Sequence, residues 1–262
     1  MKTAVTFDGQ TFEADLSEPI DISLPLSDSP QNPVAWYLEK PSIEPVTSGD
    51  WVGKVSLGQS STNFNNILFN PHGHGTHTEC LGHITHDFYS VNTSLKQYFF
   101  VARLVSVAPE KHGGDDLITQ ARLSELLKGA LPDAVVIRTL PNDAGKKTRK
   151  YSHTNPPYLS ADAAAWLREN GVQHLLIDLP SVDREQDQGA LLAHKAFWNL
   201  TNVDRVNEDA RITATITELI FVPDEVPDGW YLLNLQTAPF ENDATPSRPV
   251  LFKLKLSADV SG

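Results

Sequence analysis

Five of the nine histidines lie in one stretch of this 262-residue chain, Asn70-Pro71-His72-Gly73-His74-Gly75-Thr76-His77-Thr78-Glu79-Cys80-Leu81-Gly82-His83-Ile84-Thr85-His86. The proline, the glycines and the small hydroxyl residues disfavour a helix at its start, so we predict a strand end that enters a tight turn. In an extended chain, His77 and Glu79 point to the same face and can reach one ion. Divalent metals prefer imidazole and carboxylate ligands, and glycine lets the backbone fold closely around a small object. We therefore predict a metal site; the alternative is a surface loop that is rich in histidine.

The stretch resembles the signature H-x-G-T-H-x-D-x-P-x-H of the metal-dependent cyclase and kynurenine formamidase family. His77 matches the second histidine, Glu79 matches the aspartate, and His83 matches the final histidine. The resemblance implies that His77 and Glu79 bind the metal and that His83 transfers a proton. Glu79 is one methylene longer than aspartate and Leu81 replaces the proline, which allows a slightly displaced metal.

The first histidine of the signature falls on Gly73, with His72 and His74 on either side. Gly73 and Gly75 let the loop bulge by one residue, which would restore the reach of the earlier histidine. We therefore predict His72 as the first metal ligand. His74 is the alternative, because alternation along a strand leaves both histidines on one face.

Two further ligands are predicted in the second half of the chain. Residues 190–198 read as a helix, and His194 stands there in the "A-H" context in which the family has a metal-binding histidine; the alternative is a core histidine. Glu218 lies on the apolar face of a strand predicted over residues 212–220 and resembles the glutamate of the family's "I-x-E" strand. A carboxylate on an apolar face is costly unless a cation pairs with it. The alternatives to a metal are a surface-facing strand or an arginine partner such as Arg138.

Three other features adjoin the predicted site. The segment from Asp178 to Asp183 resembles the family's "D-x-P-S-V-D" element; its acids could support the site or cap turns, and we favour the structural role. Cys80 should point away from the ligands on an extended chain, so we expect it to pack rather than bind zinc. Trp36 and Tyr37 form either an aromatic substrate wall or a loop that closes over the core.

The composition excludes several classes of protein. An apolar fraction of 40% indicates a globular chain, and a formal net charge of -12 argues against nucleic acid or an anionic membrane as a partner. We find no apolar run near eighteen residues and no signal-peptide core at the N-terminus. One cysteine excludes an intramolecular disulfide, and we expect a cytoplasmic protein.

Periodicity and turn signals place the predicted elements along the chain. We predict a hairpin over residues 3–15 around Asp8-Gly9, helices at 119–129, 160–171 and 190–198, and strands at 20–26, 98–107, 134–140, 174–180, 212–220, 229–237 and 248–256. Alternating strands and helices in the middle of the chain indicate an α/β fold with some parallel pairing. We predict a single domain over residues 1–262, a mixed β-sheet core with flanking helices, in which residues 1–17 are an N-terminal hairpin extension. The resemblance implies the swivelling β/β/α fold of the putative cyclases.

The predicted site implies a metal-dependent enzyme. Nitrogen and oxygen ligands with an open position suit a catalytic divalent metal, zinc before manganese, which would acidify a bound water. The resemblance implies hydrolysis of a small-molecule formamide or cyclic amide, with one or two ions and with His83 as general acid/base. It also implies a homo-oligomer, a homodimer before a higher one. The alternatives are a metal-dependent cyclase or carbon–oxygen lyase, and a non-catalytic binding protein on a decayed enzyme fold.

Overall fold

The computed structural model describes residues 1–257; residues 258–262, the end of the predicted single domain, lie outside the described residues. In chain order the strands are β1 (Lys2–Phe7), β2 (Gln10–Asp15), β3 (Ile20–Asp21), β4 (Ser42–Pro45), β5 (Thr47–Ser48), β6 (Trp51–Val52), β7 (Asn65–Leu68), β8 (His77–Glu79), β9 (Phe99–Val107), β10 (Glu110–His112), β11 (Asp115–Ile118), β12 (Ala134–Thr139), β13 (Tyr158–Leu159), β14 (His174–Ile177), β15 (Thr215–Glu218), β16 (Gly229–Asn234), β17 (Ala244–Pro246), β18 (Val250–Lys253) and β19 (Lys255–Leu256). The α-helices are α1 (Pro71–His74), α2 (Val91–Ser94), α3 (Gln120–Leu126), α4 (Ala161–Glu169) and α5 (Leu192–Trp198).

The centre of the described part is a mixed sheet of nine strands in the order β17-β8-β15-β14-β12-β9-β16-β18-β3. Its middle strands β9, β12, β14 and β15 run parallel to one another. Every residue of β12 and β14 is buried, because parallel strands are covered on both faces and therefore read as continuous apolar runs. The outer strands pair antiparallel at both edges. The predicted α/β fold with a mixed sheet is thereby confirmed.

Two apolar cores lie on opposite faces of this sheet. Helices α3, α4 and α5 cover one face, where Leu167 and Phe197 pack in the same cluster as Ile137 of β12. Val136, the neighbouring residue, points to the other face and packs in a cluster with Tyr231 of β16. Each such buried side chain stabilises the fold by roughly 1.5–3 kcal/mol.

The longer helices begin at the predicted caps. The Thr119 hydroxyl accepts a hydrogen bond from the Arg122 amide at the start of α3, and the Ser160 hydroxyl accepts one from the Ala163 amide at the start of α4. These side chains satisfy amides that a helix start leaves without partners. None of the helices within residues 1–257 is both long and apolar enough to cross a membrane.

The predicted N-terminal hairpin is present as β1 and β2. Asp8 and Gly9 both have positive φ angles, 48° and 72°, as the tight turn between paired strands requires. β19 pairs with β2 on its other side, and Phe12 packs against Trp230 with ring centroids 6.2 Å apart. The hairpin therefore covers the outer surface of β16 and β18.

The strand predicted over residues 20–26 is wrong beyond its first two residues. The Ser23 amide and hydroxyl both donate to the Asp21 carboxylate, at 2.9 Å and 2.6 Å. The Leu24 amide then donates to the Thr76 hydroxyl at 2.8 Å instead of to a neighbouring strand. These side-chain acceptors replace the ladder that a longer strand would need.

The prediction that the histidine-rich stretch begins without a helix is also wrong. Pro71 to His74 form the single turn of α1, because proline at the first helical position has no amide to leave unpaired. Glycine eases the close packing there, since an added Cβ at Gly73 would lie 3.2 Å from the Ala35 carbonyl oxygen and would displace the side chain of Leu38. The turn ends at Gly75, whose extended backbone leads the chain into β8.

Candidate metal centre

Strand β8 places His77 and Glu79 at the heart of the candidate centre. All three residues of β8 are buried between β15 and β17, and alternation puts both side chains on one face, as predicted. His77 stands directly opposite Glu218 in the ladder with β15. Its Nε2 lies 3.5 Å from Oε2 of Glu218, so two distant segments meet through sheet register.

His72 joins this cluster and His74 does not. Nδ1 of His72 lies 3.1 Å from Oε2 of Glu79. His74 turns away: its Nδ1 accepts a hydrogen bond from the Asn70 amide, and its Nε2 lies 2.7 Å from the Glu39 carbonyl oxygen. This arrangement favours His72 as the first ligand, although its role as a ligand stays a prediction.

His194 reaches the cluster from α5. Its Nε2 lies 2.9 Å from Oε1 of Glu79, and its Nδ1 lies 2.6 Å from Oδ2 of Asp183. The Asp183 carboxylate also accepts hydrogen bonds from the amides of Ala193 and His194. Asp183 therefore caps the start of α5 and orients the ring of His194 at the same time, so its structural and supporting roles coincide.

Glu218 completes the group of predicted ligands. Its Oε1 accepts a hydrogen bond from the Val182 amide and lies 3.8 Å from Nε2 of His194. Arg138, the alternative cationic partner, instead binds the Asp228 carboxylate and the Pro223 carbonyl oxygen. Within residues 1–257, the ion pairs of Glu218 are with His77 and His194 alone.

His83 lies at the edge of the cluster on a short 3₁₀ turn, Leu81–Ile84. Its side chain is 29% exposed, whereas that of Glu79 is fully buried, so His83 can meet a substrate. Nε2 of His83 lies 3.8 Å from Oε2 of Glu79. Its ring stacks on that of His72, with centroids 4.1 Å apart.

Asp243 also belongs to the centre, and the sequence did not identify it. Its Oδ2 lies 2.8 Å from Nε2 of His72 and 3.3 Å from Nδ1 of His83. Asp243 directly precedes β17, whose Ala244 stands opposite Glu79 in the ladder with β8. A lone carboxylate some 160 residues beyond the histidines carries no local signal.

The protonation pattern of the rings fits a cation at the centre of the cluster. His77 donates from Nδ1 to the Gly75 carbonyl oxygen, which leaves its inner Nε2 as an acceptor that faces carboxylates. In His194 and His72 the outer nitrogen likewise lies within hydrogen-bond distance of Asp183 and Asp243, and the inner nitrogen faces Glu79. Among the described residues, the buried His77 Nε2 and Glu79 Oε2 have no hydrogen-bond partner. Facing acceptors need a proton or a metal ion between them, and imidazole and carboxylate are suitable metal ligands.

The electrostatics of the cluster point the same way. Burial by itself lowers the pKa of His72, but the adjacent carboxylates of Asp243 and Glu79 outweigh burial and raise that pKa to about 10. Burial is likewise overcome at His194, whose pKa is raised well above its usual value by the charge of Glu79. Burial raises the pKa of Glu79, but the charges of His83 and His194 hold it well below its usual range. The carboxylates therefore stabilise positive charge at the centre.

A cavity of about 410 Å³ opens onto the cluster. His72, His83 and Glu218 form part of its wall, and Trp36 and Leu38 supply apolar surface. Trp36 is thus placed as a wall of the cavity, and its indole Nε1 donates to the His72 carbonyl oxygen. Tyr37 is 53% exposed and donates its hydroxyl hydrogen bond to Glu185. The cavity has room for a small molecule beside the cluster.

Two neighbouring residues have structural roles. Asp178 accepts hydrogen bonds from the amide and hydroxyl of Thr139 and from Nζ of Lys146, away from the cluster. Cys80 is buried and donates its thiol to the Tyr89 carbonyl oxygen, and burial raises its pKa to about 11. A neutral, buried thiol agrees with the predicted packing role.

Comparison with known proteins identifies the family. The sequence model of the family described as "Putative cyclase" matches residues 15–184, well over half of the chain. The kynurenine formamidase of Bacillus cereus is 26% identical over 242 residues, which are 90% of this chain and 97% of that protein. The fold is similar to that of a predicted metal-dependent hydrolase from Bacillus stearothermophilus, with a TM-score of 0.59 and 19% identity over 90% of this chain and 98% of that one. It is also similar to isatin hydrolase A from Ralstonia solanacearum, with a TM-score of 0.60 and 16% identity over 90% and 91% of the two chains. The predicted family is thereby confirmed: the chain belongs to the putative cyclase family.

Proposed function

We propose that this protein is a metal-dependent hydrolase that cleaves the non-peptide carbon–nitrogen bond of a small-molecule amide. The prediction of amide hydrolysis is confirmed at the level of reaction class by relatives named kynurenine formamidase and isatin hydrolase. One observation carries the proposal for this chain. Ring nitrogens of His77 and His194 face buried carboxylates beside a cavity whose wall includes His83.

We infer that His72, His77 and Glu79 hold one ion, and that Glu79, His194 and Glu218 hold a second where two are bound. The distances among these side chains support the grouping, with Glu79 between the two sets. The mixed imidazole and carboxylate ligands favour zinc, with manganese as the second choice. A divalent ion held there would polarise the substrate carbonyl and lower the pKa of a water molecule toward neutral.

The protein supplies orientation and proton transfer. Asp183 fixes the ring of His194, and the Val182 amide fixes Glu218, so the cluster is held before the substrate arrives. Nε2 of His83 accepts a proton from the attacking water and later delivers it to the nitrogen of the leaving amine. The apolar walls at Trp36 and Leu38 shield the substrate from bulk water.

Two further proposals concern the setting of the enzyme. A homodimer is proposed because closed two-fold assemblies are the commonest oligomers of soluble proteins. A cytoplasmic location is proposed on the single cysteine, since disulfides are characteristic of oxidising compartments. Both stay predictions.

No observation favours the alternative functions. A decayed binding protein was suggested by the displaced first histidine, but α1 returns His72 to the cluster, which removes that support. A lyase or cyclase would use the same metal and His83 without adding water.

The test combines metal content with product analysis. Protein purified without added metal is examined by elemental analysis, and zinc-loaded protein is then incubated with N-formylanilines, isatin and small lactams in ¹⁸O-labelled water. We expect one or two zinc ions per chain and ¹⁸O in the acid product of at least one amide. Turnover without ¹⁸O incorporation would indicate a lyase or cyclase, and the absence of both metal and turnover would contradict the proposal.

A further inference from the structure

The Asp243 carboxylate touches two histidines with different proposed roles. Its Oδ2 lies within 2.8 Å of His72, a proposed ligand, and within 3.3 Å of His83, the proposed proton carrier. The two rings stack on each other, so Oδ2 of Asp243 can contact a nitrogen of each ring. This contact is absent from the sequence signature that led to the other site residues.

The backbone holds Asp243 firmly in this position. The Cys80 amide donates to the Asp243 carbonyl oxygen, and β17 begins at the next residue with its pairing to β8. The Val91 amide donates to the Asn242 carbonyl oxygen. The backbone of Asp243 is thus fastened beside the strand that carries Glu79.

A carboxylate can only accept hydrogen bonds, so it selects which nitrogen of a facing neutral ring carries the proton. At His83 the facing nitrogen is Nδ1, which leaves Nε2 as the free acceptor on the side of Glu79. At His72 the facing nitrogen is Nε2, which leaves Nδ1 for the cluster. The same oxygen therefore prepares one ring to bind a cation and the other to accept a proton.

We propose that Asp243 is a positioning residue that holds His83 with its proton on Nδ1, so that Nε2 is left free beside the cluster to exchange the catalytic proton. The proton leaves the attacking water for Nε2 and passes from Nε2 to the departing amine nitrogen. Asp243 neither gains nor loses a proton in this cycle. The inference rests on the proposed hydrolase function for its kinetic arm only.

The kinetic test compares Asp243→Ala and Asp243→Asn at saturating zinc, with bound metal measured in each. We expect Asp243→Ala to lower kcat by on the order of 100-fold with little change in KM, and Asp243→Asn to restore part of it, because the amide oxygen can still accept from His83. The matched control is Glu241→Gln, which removes an exposed carboxylate two residues away that accepts a hydrogen bond from Asn92. It should keep the wild-type kcat.

A double-mutant cycle separates positioning from general damage. If Asp243 acts through His83, then Asp243→Ala should lower kcat no further in the His83→Ala background. Additive losses would overturn the proposal. The proposal would also be overturned if Asp243→Ala lost its activity only because it no longer binds zinc, even at saturating zinc. Asp243 would then act on His72 alone.

A spectroscopic arm needs no substrate. In zinc-loaded protein with ¹⁵N-labelled histidine, the His83 ring is assigned by its disappearance in His83→Ala. We expect the proton on Nδ1 in the wild-type protein and a different or mixed tautomer in Asp243→Ala. A proton on Nε2 in the wild type would overturn the proposal, even if no amide proves to be a substrate and the hydrolase function itself fails.

Discussion

At the residue scale, a buried histidine is prepared to bind a cation when its outer nitrogen already has an acceptor. His77 uses the Gly75 carbonyl oxygen for this purpose, and His194 uses Asp183. The sequence could predict the rings, because they recur in a known signature. It could also indicate Asp183 as a possible support, but not the Gly75 carbonyl oxygen, since a backbone oxygen leaves no mark in the sequence.

We predict that His83→Ala and His77→Ala fail in different ways. His83→Ala should lower the hydrolysis rate by on the order of 10²–10⁴ and keep its metal, because His83 is 29% exposed at the edge of the cluster. His77→Ala should lose metal, because it removes a fully buried ring that faces Glu218. Elemental analysis and amide hydrolysis are measured for both variants.

His86→Ala is the control for this pair, since His86 is 74% exposed and paired with Asp204 away from the cluster. It should resemble the wild type in metal content and rate. Equal loss of metal in His83→Ala and His77→Ala would make His83 a ligand. Full activity of His83→Ala would mean that another group handles the proton.

Asp243 shows where residue-level prediction ends. Its neighbours Glu241 and Asn242 form no motif, and none of the predicted ligands lies near it in the sequence. It reaches His72 only because β17 pairs with β8 in one particular register. That register depends on the whole sheet, and a single sequence does not reveal it.

At the element scale, α1 explains why His72 enters the cluster and His74 leaves it. The strand assumed from the sequence would place both rings on one face. In a helical turn, the side chains of residues i and i+2 are separated by about 200° around the helix axis, so the rings of His72 and His74 point in opposite directions. The predicted choice of His72 agrees with this placement, whereas the predicted bulge in an extended loop does not.

The turn that carries His83 yields a prediction about Gly82. A Cβ added there would lie 2.2 Å from the Tyr89 carbonyl oxygen, and backbone cannot yield as a flexible side chain can. Gly82→Ala should therefore destabilise the fold by about 1–3 kcal/mol and displace His83 enough to slow hydrolysis. Urea unfolding and amide hydrolysis measure the two effects.

Gly114→Ala is the matched control for Gly82→Ala, because an added Cβ at Gly114 meets nothing within 4 Å. It should be close to the wild type in stability and in rate. A Gly82→Ala protein that is equally stable and equally active would show that the Leu81–Ile84 turn can shift without consequence.

At the scale of the whole molecule, the predictable part of the fold was its parallel centre. β12 and β14 contain the short apolar runs Ala-Val-Val-Ile and Leu-Leu-Ile, and such runs indicate buried strands without any knowledge of their neighbours. β8 has only three residues and β3 only two, so their place in the sheet depends on partners far along the chain. The single domain stays a prediction.

The first residue of β14 links the folded state as a whole to pH. His174 is 5% exposed, its ring lies 4.0 Å from that of Phe100, and its Nδ1 shares a hydrogen bond with the Thr215 hydroxyl. Burial first, and then the charge of Arg211, lower its pKa from 6.5 to about 3. The folded protein therefore keeps His174 neutral where the unfolded chain protonates it.

Because of this difference, the free energy of unfolding decreases as the pH is lowered. Below pH 6.5 the unfolded chain binds a proton at His174, whereas the folded chain binds one there only near pH 3. The contribution of His174 to stability is therefore fully present above pH 6.5 and is lost progressively as the pH falls from 6.5 to about 3. At pH 5 the loss from this residue is about 2 kcal/mol. His174→Gln keeps a hydrogen-bonding side chain but cannot titrate, so between pH 7.5 and pH 5 it should lose about 2 kcal/mol less than the wild type in urea unfolding. His112→Gln, at an exposed site, should retain the wild-type dependence. Equal losses in His174→Gln and the wild type would show that His174 is protonated in the folded protein near its ordinary pKa.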